Sequence, residues 1–149
     1  MIRRILVLIT AAVLLCGCGA KTDGEQQKEA EDRTVLLEVW GPQEKQAFLN
    51  DKITQFQNQN TEQQLEVHLA AEALETVRDT VLTDPAVAAD VFLIRREDAD
   101  LLAEAKVLYA LPEGYYVLLK DVDSDLAAAV NAYSKNTELA LKLVQIIAQ

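Results

Sequence analysis

The chain has 149 residues, half of them hydrophobic, with 24 acidic against 14 basic side chains and a formal net charge of −10. That length fits one ordinary domain with a core of its own. The acidic balance argues against coating nucleic acid, which needs Lys and Arg in excess. It gains nothing from an anionic lipid surface either, and mainly supplies solubility.

Arg3 and Arg4 precede an apolar run of eleven residues, Ile5 to Leu15. The run is short for a bilayer span, and small residues follow it, which is the layout of a secretory signal peptide. The chain's two cysteines, Cys16 and Cys18, sit at its end. "LCGC" resembles the lipobox of bacterial lipoproteins, which sets an apolar residue three positions before the modified cysteine and a small one just before it. Cys18 fits, with Leu15 and Gly17 in those places; Cys16 does not, because bulky Leu15 precedes it. A disulfide between residues two apart is geometrically poor. The expectation is a signal peptide over residues 1–17 and lipid attachment at Cys18. Acyl chains alone would then hold the protein at the cell membrane, on the extracytoplasmic face. Loss of Arg3 and Arg4 takes the formal charge from −10 to −12. Gly19 to Arg33 has no apolar residue larger than Ala, so residues 18–33 read as a flexible tether ahead of one domain, 34–149.

"TVLLEVW" (Thr34 to Trp40) predicts a buried strand, broken by Gly41-Pro42. A helix follows, with Pro42 at its first turn and Glu44 where the dipole favours an acid. Leu49, Ile53 and Phe56 space helically, and the helix ends near Asn58 to Asn60. "QLEVHLA" (Gln64 to Ala70) alternates, with Leu65, Val67 and Leu69 on one face and Glu66 and His68 on the other. Leu74, Val77 and Val81 predict a second helix, stopped at Asp84-Pro85. "ADVFLI" (Ala89 to Ile94) reads as a central strand. "RREDAD" reads as a polar loop into a short helix carrying Leu101, Leu102 and Ala105. "VLYAL" is an apolar segment before a turn at Pro112-Glu113-Gly114, and "YYVLL" is a strand. "LAAAVNAYS" fits strand or helix alike. "NTELALKLVQIIAQ" is a helix that Asn136 can cap, with Glu138 in its first turn. Strands alternating with helices predict an α/β fold, a mostly parallel sheet flanked by helices with right-handed crossovers.

Little here supports catalysis or a metal. The single histidine, His68, lies mid-strand, with no cysteine near it to build a nucleophilic unit. Of five glycines only Gly41 and Gly114 fall inside the domain, so no phosphate-cradling loop is possible. Asp121 to Ala132 has acids at the first, third and fifth positions of a calcium loop. It carries Leu126 where Gly is needed and Ala132 where Glu is needed, so it reads as a solvated acidic turn. Structural zinc would need four Cys or His ligands. No enzyme, metal or cofactor is expected.

"LLEVWGPQEKQAFLNDKITQFQNQN", "LEVHL", "AADVFLIRREDADLLAEAKVLYAL" and "AVNAYSKNTELALKLVQIIA" resemble segments of extracellular solute-binding proteins of the carbohydrate, maltose-binding-like family. The last match is the most specific. Where the family usually has a glycine after the third helix, this chain has Ala105-Lys106, which weakens the helix stop. The resemblance runs from Val35 to Leu111 and from Ala128 to Ala148, bridged by "PEGYYVLLKDVDSDL". Family members are longer and have two lobes, and the second lobe has no counterpart here. The resemblance implies one lobe of a type II periplasmic-binding-protein fold, a sugar ligand and an ABC transporter permease as partner. A single lobe offers half a site and cannot close on a hinge.

Ligands of open parallel sheets bind at the carboxyl ends of the strands. Candidate ligand-binding residues are Trp40, Gln43 and Glu44 after the first strand, and Arg96, Glu97 and Asp98 after the third. Charged groups suit sugar hydroxyls and a Trp ring suits a sugar face; Glu97 falls where the family commonly has a sugar-binding acid. Trp40 equally fits the core, and the "RRED" stretch a solvated loop. The reading is a lipid-anchored solute-binding lipoprotein for ABC-type sugar uptake. The alternative is a truncated remnant or membrane-tethered interaction domain that binds no sugar. A small lipoprotein of unrelated β-α fold remains a third option.

Overall fold

Val35–Gly41 forms β1, whose apolar residues Leu37 and Val39 are fully buried on one face. The structure, a computed structural model, describes residues 34–149, and these make one unit. The expectations for the leader, Cys18 and the tether lie outside the described residues. After β1 the chain turns through a short 3-10 segment, Gln43–Lys45, and only then enters α1, Gln46–Gln59. Pro42 and Glu44 therefore belong to that tight turn and not to the α-helix. The order continues with β2 (Leu65–Ala71), α2 (Leu74–Thr83), β3 (Val91–Arg95), α3 (Arg96–Glu104), β4 (Tyr116–Leu119), β5 (Asp123–Val130) and α4 (Thr137–Ile147).

The five strands make one sheet in the order β2-β1-β3-β5-β4. β1 runs parallel to β2 and to β3, β5 runs antiparallel to β3, and β4 runs antiparallel to β5. Four strands therefore point one way and β5 alone is reversed. Helices cover both faces. Leu49, Ile53 and Phe56 of α1 pack with Leu143 and Ile147 of α4 against Leu37, Val39 and Leu93. On the other face Val77 and Val81 of α2 and Leu102 of α3 pack on Phe92 and Ile94. Each buried side chain of this size contributes about 1.5–3 kcal/mol through water release.

β5 resolves the ambiguous "LAAAV" as a strand. Leu126, Ala128 and Val130 face the first core and Ala127 and Ala129 the second, all buried between β3 and β4. Alanine favours helix in isolation, but a strand buried on both faces close to two helix layers takes small residues, and packing decides. The acidic "DVDSD" is not one turn. The chain turns over residues 120–122, and Asp123 already belongs to β5.

Two further readings are corrected. "RREDAD" is not a loop: α3 begins at Arg96, directly after β3, with Glu97 and Asp98 in its first turn where the helix dipole favours acids. Asn136 occupies the N-cap position of α4, but its side chain makes no capping bond. It donates to the Leu36 carbonyl at 2.7 Å instead. The helix stop after α3 holds without glycine. Lys106 adopts φ 60°, and the Val107 N–H reaches back to the Leu102 carbonyl at 3.3 Å, closing the end in the manner of a Schellman motif. The segment after it bridges β5's extension at Leu108 and Asn131.

Candidate functional site

The chain passes from β1 through α1 to β2 on one side, then returns through α2 to β3 on the other. The strand order reverses between β1 and β3, which are parallel neighbours in the sheet. Such a switch point is where open α/β sheets leave a crevice. An open hollow of about 370 Å³ lies at this end, bordered by Gln43, Glu44, Glu72, Glu75 and Arg95. Gln43 and Glu44 follow β1, Glu72 follows β2, Glu75 opens α2, and Arg95 ends β3.

Gln46 fixes the floor beside the hollow. Its Nε2 donates to the Gly41 carbonyl at 3.0 Å and to the Ala70 carbonyl at 3.4 Å, tying the start of α1 to the ends of β1 and β2. Gly41 is needed there for space, because a Cβ would stand 2.4 Å from Leu49 Cδ1. On the far wall Arg95 donates through Nη2 to Glu75 Oε1. That bond, helped by Glu75's own backbone N–H, holds the Glu75 carboxyl below its ordinary pKa, and the same bond raises Arg95. Beside this pair, Arg78 of α2 meets Asp79 at 2.8 Å and Asp98 at 3.7 Å.

Two of the six residues expected from the sequence, Gln43 and Glu44, border the hollow. Trp40 is half-buried and packs against the second core cluster. Arg96 and Glu97 are exposed on the first turn of α3, outside the lining. Asp98 is buried at 8% exposure; one oxygen faces Arg78 and the other, Oδ2, meets no hydrogen-bond donor among the described residues. Sequence reasoning missed Glu72, Glu75 and Arg95. The signal for the first two was the same strand-end rule, applied to β2. Arg95 had no such signal: that no loop follows β3, which puts the strand's last residue at the border of the hollow, shows only in the fold.

A larger hollow, about 880 Å³, lies at the opposite end of the sheet between the start of β1, the end of α1 and the start of α4. It lacks convergent strand ends, and the smaller hollow is the better candidate on topology. Among the described residues no three His, Cys, Asp or Glu side chains converge to hold a metal ion. Among the same residues no helix is long and apolar enough to cross a membrane.

No protein-family model matches the sequence, and no curated protein matches it. Solved structures do match in part. A protein solved with acarbose aligns over 53% of this chain at 24% identity and a TM-score of 0.48. The maltose-binding periplasmic protein of Listeria monocytogenes, in complex with maltose, aligns over 60% at 16% identity and 0.48. A maltodextrin-binding protein of L. casei BL23 without ligand aligns over 54% at 21% identity and 0.44. In every case the aligned part spans 22% of the other chain's length.

Proposed function

We propose that this chain is an extracytoplasmic solute-binding lipoprotein that captures a carbohydrate non-covalently at the carboxyl end of its sheet and works with an ABC-type importer. The observation that carries the reading is the hollow at the switch point, where strand ends bring a guanidinium and carboxylates together. Sugar hydroxyls accept from the first and donate to the second. The sequence resemblance supports the carbohydrate class and the importer permease as partner. The leader, lipidation at Cys18 and anchoring at the cell membrane rest on the "LCGC" pattern. The chain acts by binding, without chemistry on its ligand.

The test is a thermal melt of the full chain in detergent with mono- and oligosaccharides. A sugar at about a hundred times its Kd stabilises the fold by about 2.7 kcal/mol. A shift with one sugar class supports the reading; a cooperative melt that no sugar moves sinks it. The second outcome would favour a membrane-tethered interaction domain, a reading to which the exposed Tyr109, Tyr115 and Tyr133 lend support. Lipidation is tested separately. Labelled palmitate should enter the wild type and Cys16→Ser but not Cys18→Ser.

A further inference from the structure

Arg95 stands at the end of β3 with its side chain about one-third exposed, bordering the hollow. A guanidinium has five N–H donors in a rigid fork. Glu75 occupies one of them, through Nη2, and the others meet no acceptor among the described residues. Glu75 opens α2, so the bond reaches from one border of the hollow to another and restrains a side chain that would otherwise swing freely. The carboxylates of Glu44 and Glu72, at the ends of β1 and β2, make no hydrogen bond or ion pair among the described residues. The hollow is therefore bordered by both idle donors and idle acceptors. A hydroxyl is the group that both donates and accepts. Three carboxylates against one guanidinium leave the hollow negative, which disfavours acidic ligands.

We infer that Arg95, rather than its neighbour Arg96, is the specificity-determining donor of the hollow, that Glu75 is its positioning residue, and that the ligand is a neutral vicinal diol. This rests on the reading that the carboxyl-end hollow binds a sugar. Glu75 stands in for ligand oxygens at one corner of the guanidinium and leaves the remaining fork directed by the same restraint.

The experiment uses phenylglyoxal, which modifies arginine, on the full chain, with each adduct located by tandem mass spectrometry. Glucose, galactose, maltose and lactose serve as neutral probes and glucuronic acid as the acidic one, and the thermal melt runs in parallel. Glu75→Gln should speed modification at Arg95 roughly two- to fivefold, the effect of releasing an exposed ion pair, and leave Arg96 unchanged. An unchanged Arg95 rate overturns the positioning role without touching the proposed function. A neutral sugar that shifts the melt should slow modification at Arg95 and not at Arg96. Arg95→Lys, which keeps the charge and loses the fork, should weaken that sugar about tenfold. A melt shift with Arg96 protected, or with glucuronic acid the better ligand, overturns the inference and leaves the proposed function standing. No melt shift with any sugar overturns both.

Discussion

The Asn136 side-chain amide donates to the main-chain carbonyl of Leu36 at 2.7 Å, joining the start of α4 to β1. The bond answers a gap in the sheet. β1 pairs with β2 along its whole length but with β3 only at Val39 and Trp40, so the earlier residues of β1 lack a strand on that side. Asn136 meets the Leu36 carbonyl, and the Asp90 carboxylate accepts from the Glu38 N–H at 2.9 Å and also from the Ser134 hydroxyl. Asn136→Ala should lower stability by about 1 kcal/mol, and Asp90→Ala, which frees two donors, by about 1–3 kcal/mol. Urea denaturation would show both as lower midpoints at unchanged slope; an unmoved midpoint for Asp90→Ala would show that water replaces the carboxylate at no loss.

Gly41→Ala tests the packing behind the hollow. The new methyl would meet Leu49 Cδ1, which is fully buried, with Leu93 Cδ1 at 3.6 Å close behind. Overpacking of this kind costs about 1–3 kcal/mol. Combining it with Leu49→Ala, which opens space at the same spot, should cost less than the two single changes added together. Additive losses in the double variant would mean that the two side chains do not compete for that space.

Lys106 holds a left-handed conformation, φ 60°, at the end of α3. For a residue with a Cβ that conformation costs about 1–2 kcal/mol, while glycine there costs about 0.5–1 kcal/mol in unfolded-state entropy. Lys106→Gly should therefore stabilise the fold by about 0.5–1 kcal/mol, read as a higher Tm. Lower stability would show that the lysine side chain adds more than its backbone loses.

Two partly exposed ion pairs make stability depend on acid. Lys45 meets Asp123 at 3.1 Å and, with the Asp125 backbone N–H, holds that carboxyl below its ordinary pKa. The Arg95 bond does the same for Glu75. A lowered folded pKa means stability that is complete above the unfolded carboxylate values, about 3.9 for Asp and 4.3 for Glu, and is lost as pH falls through the lowered ones. Asp123→Asn and Glu75→Gln should each flatten the fall in Tm below about pH 4 and leave its shape near pH 7 unchanged. A steeper acid limb in either variant would reverse the sign argued here.

The strands and helices that showed in the sequence are those whose signal is local. β2 alternates, α1 repeats Leu49, Ile53 and Phe56 at helical spacing, and β3 is a short apolar run between breaks. β5 did not show, because its strand character comes from β3 and β4 on either side and not from Ala127, Ala128 and Ala129 themselves. The candidate site was legible as a place more than as residues. The strand-end rule located Gln43 and Glu44. It passed over Arg95 because nothing local marks where β3 stops and α3 starts, a single peptide bond apart. Asn136 carries a helix-capping identity, yet its partner is a carbonyl that only the folded sheet brings near.

The pairing of α1 with α4 across one face has a consequence for synthesis. A chain made from its amino end presents Leu49, Ile53 and Phe56 well before the residues that cover them, Leu143 and Ile147, which come only after four more strands and two more helices. Until then that face of the sheet has an open apolar seam, a surface that draws chaperones or neighbouring chains. Folding of the first core therefore waits for α4, and a ribosome-stalled fragment lacking Thr137–Ile147 would be a sticky intermediate, not a smaller version of the domain.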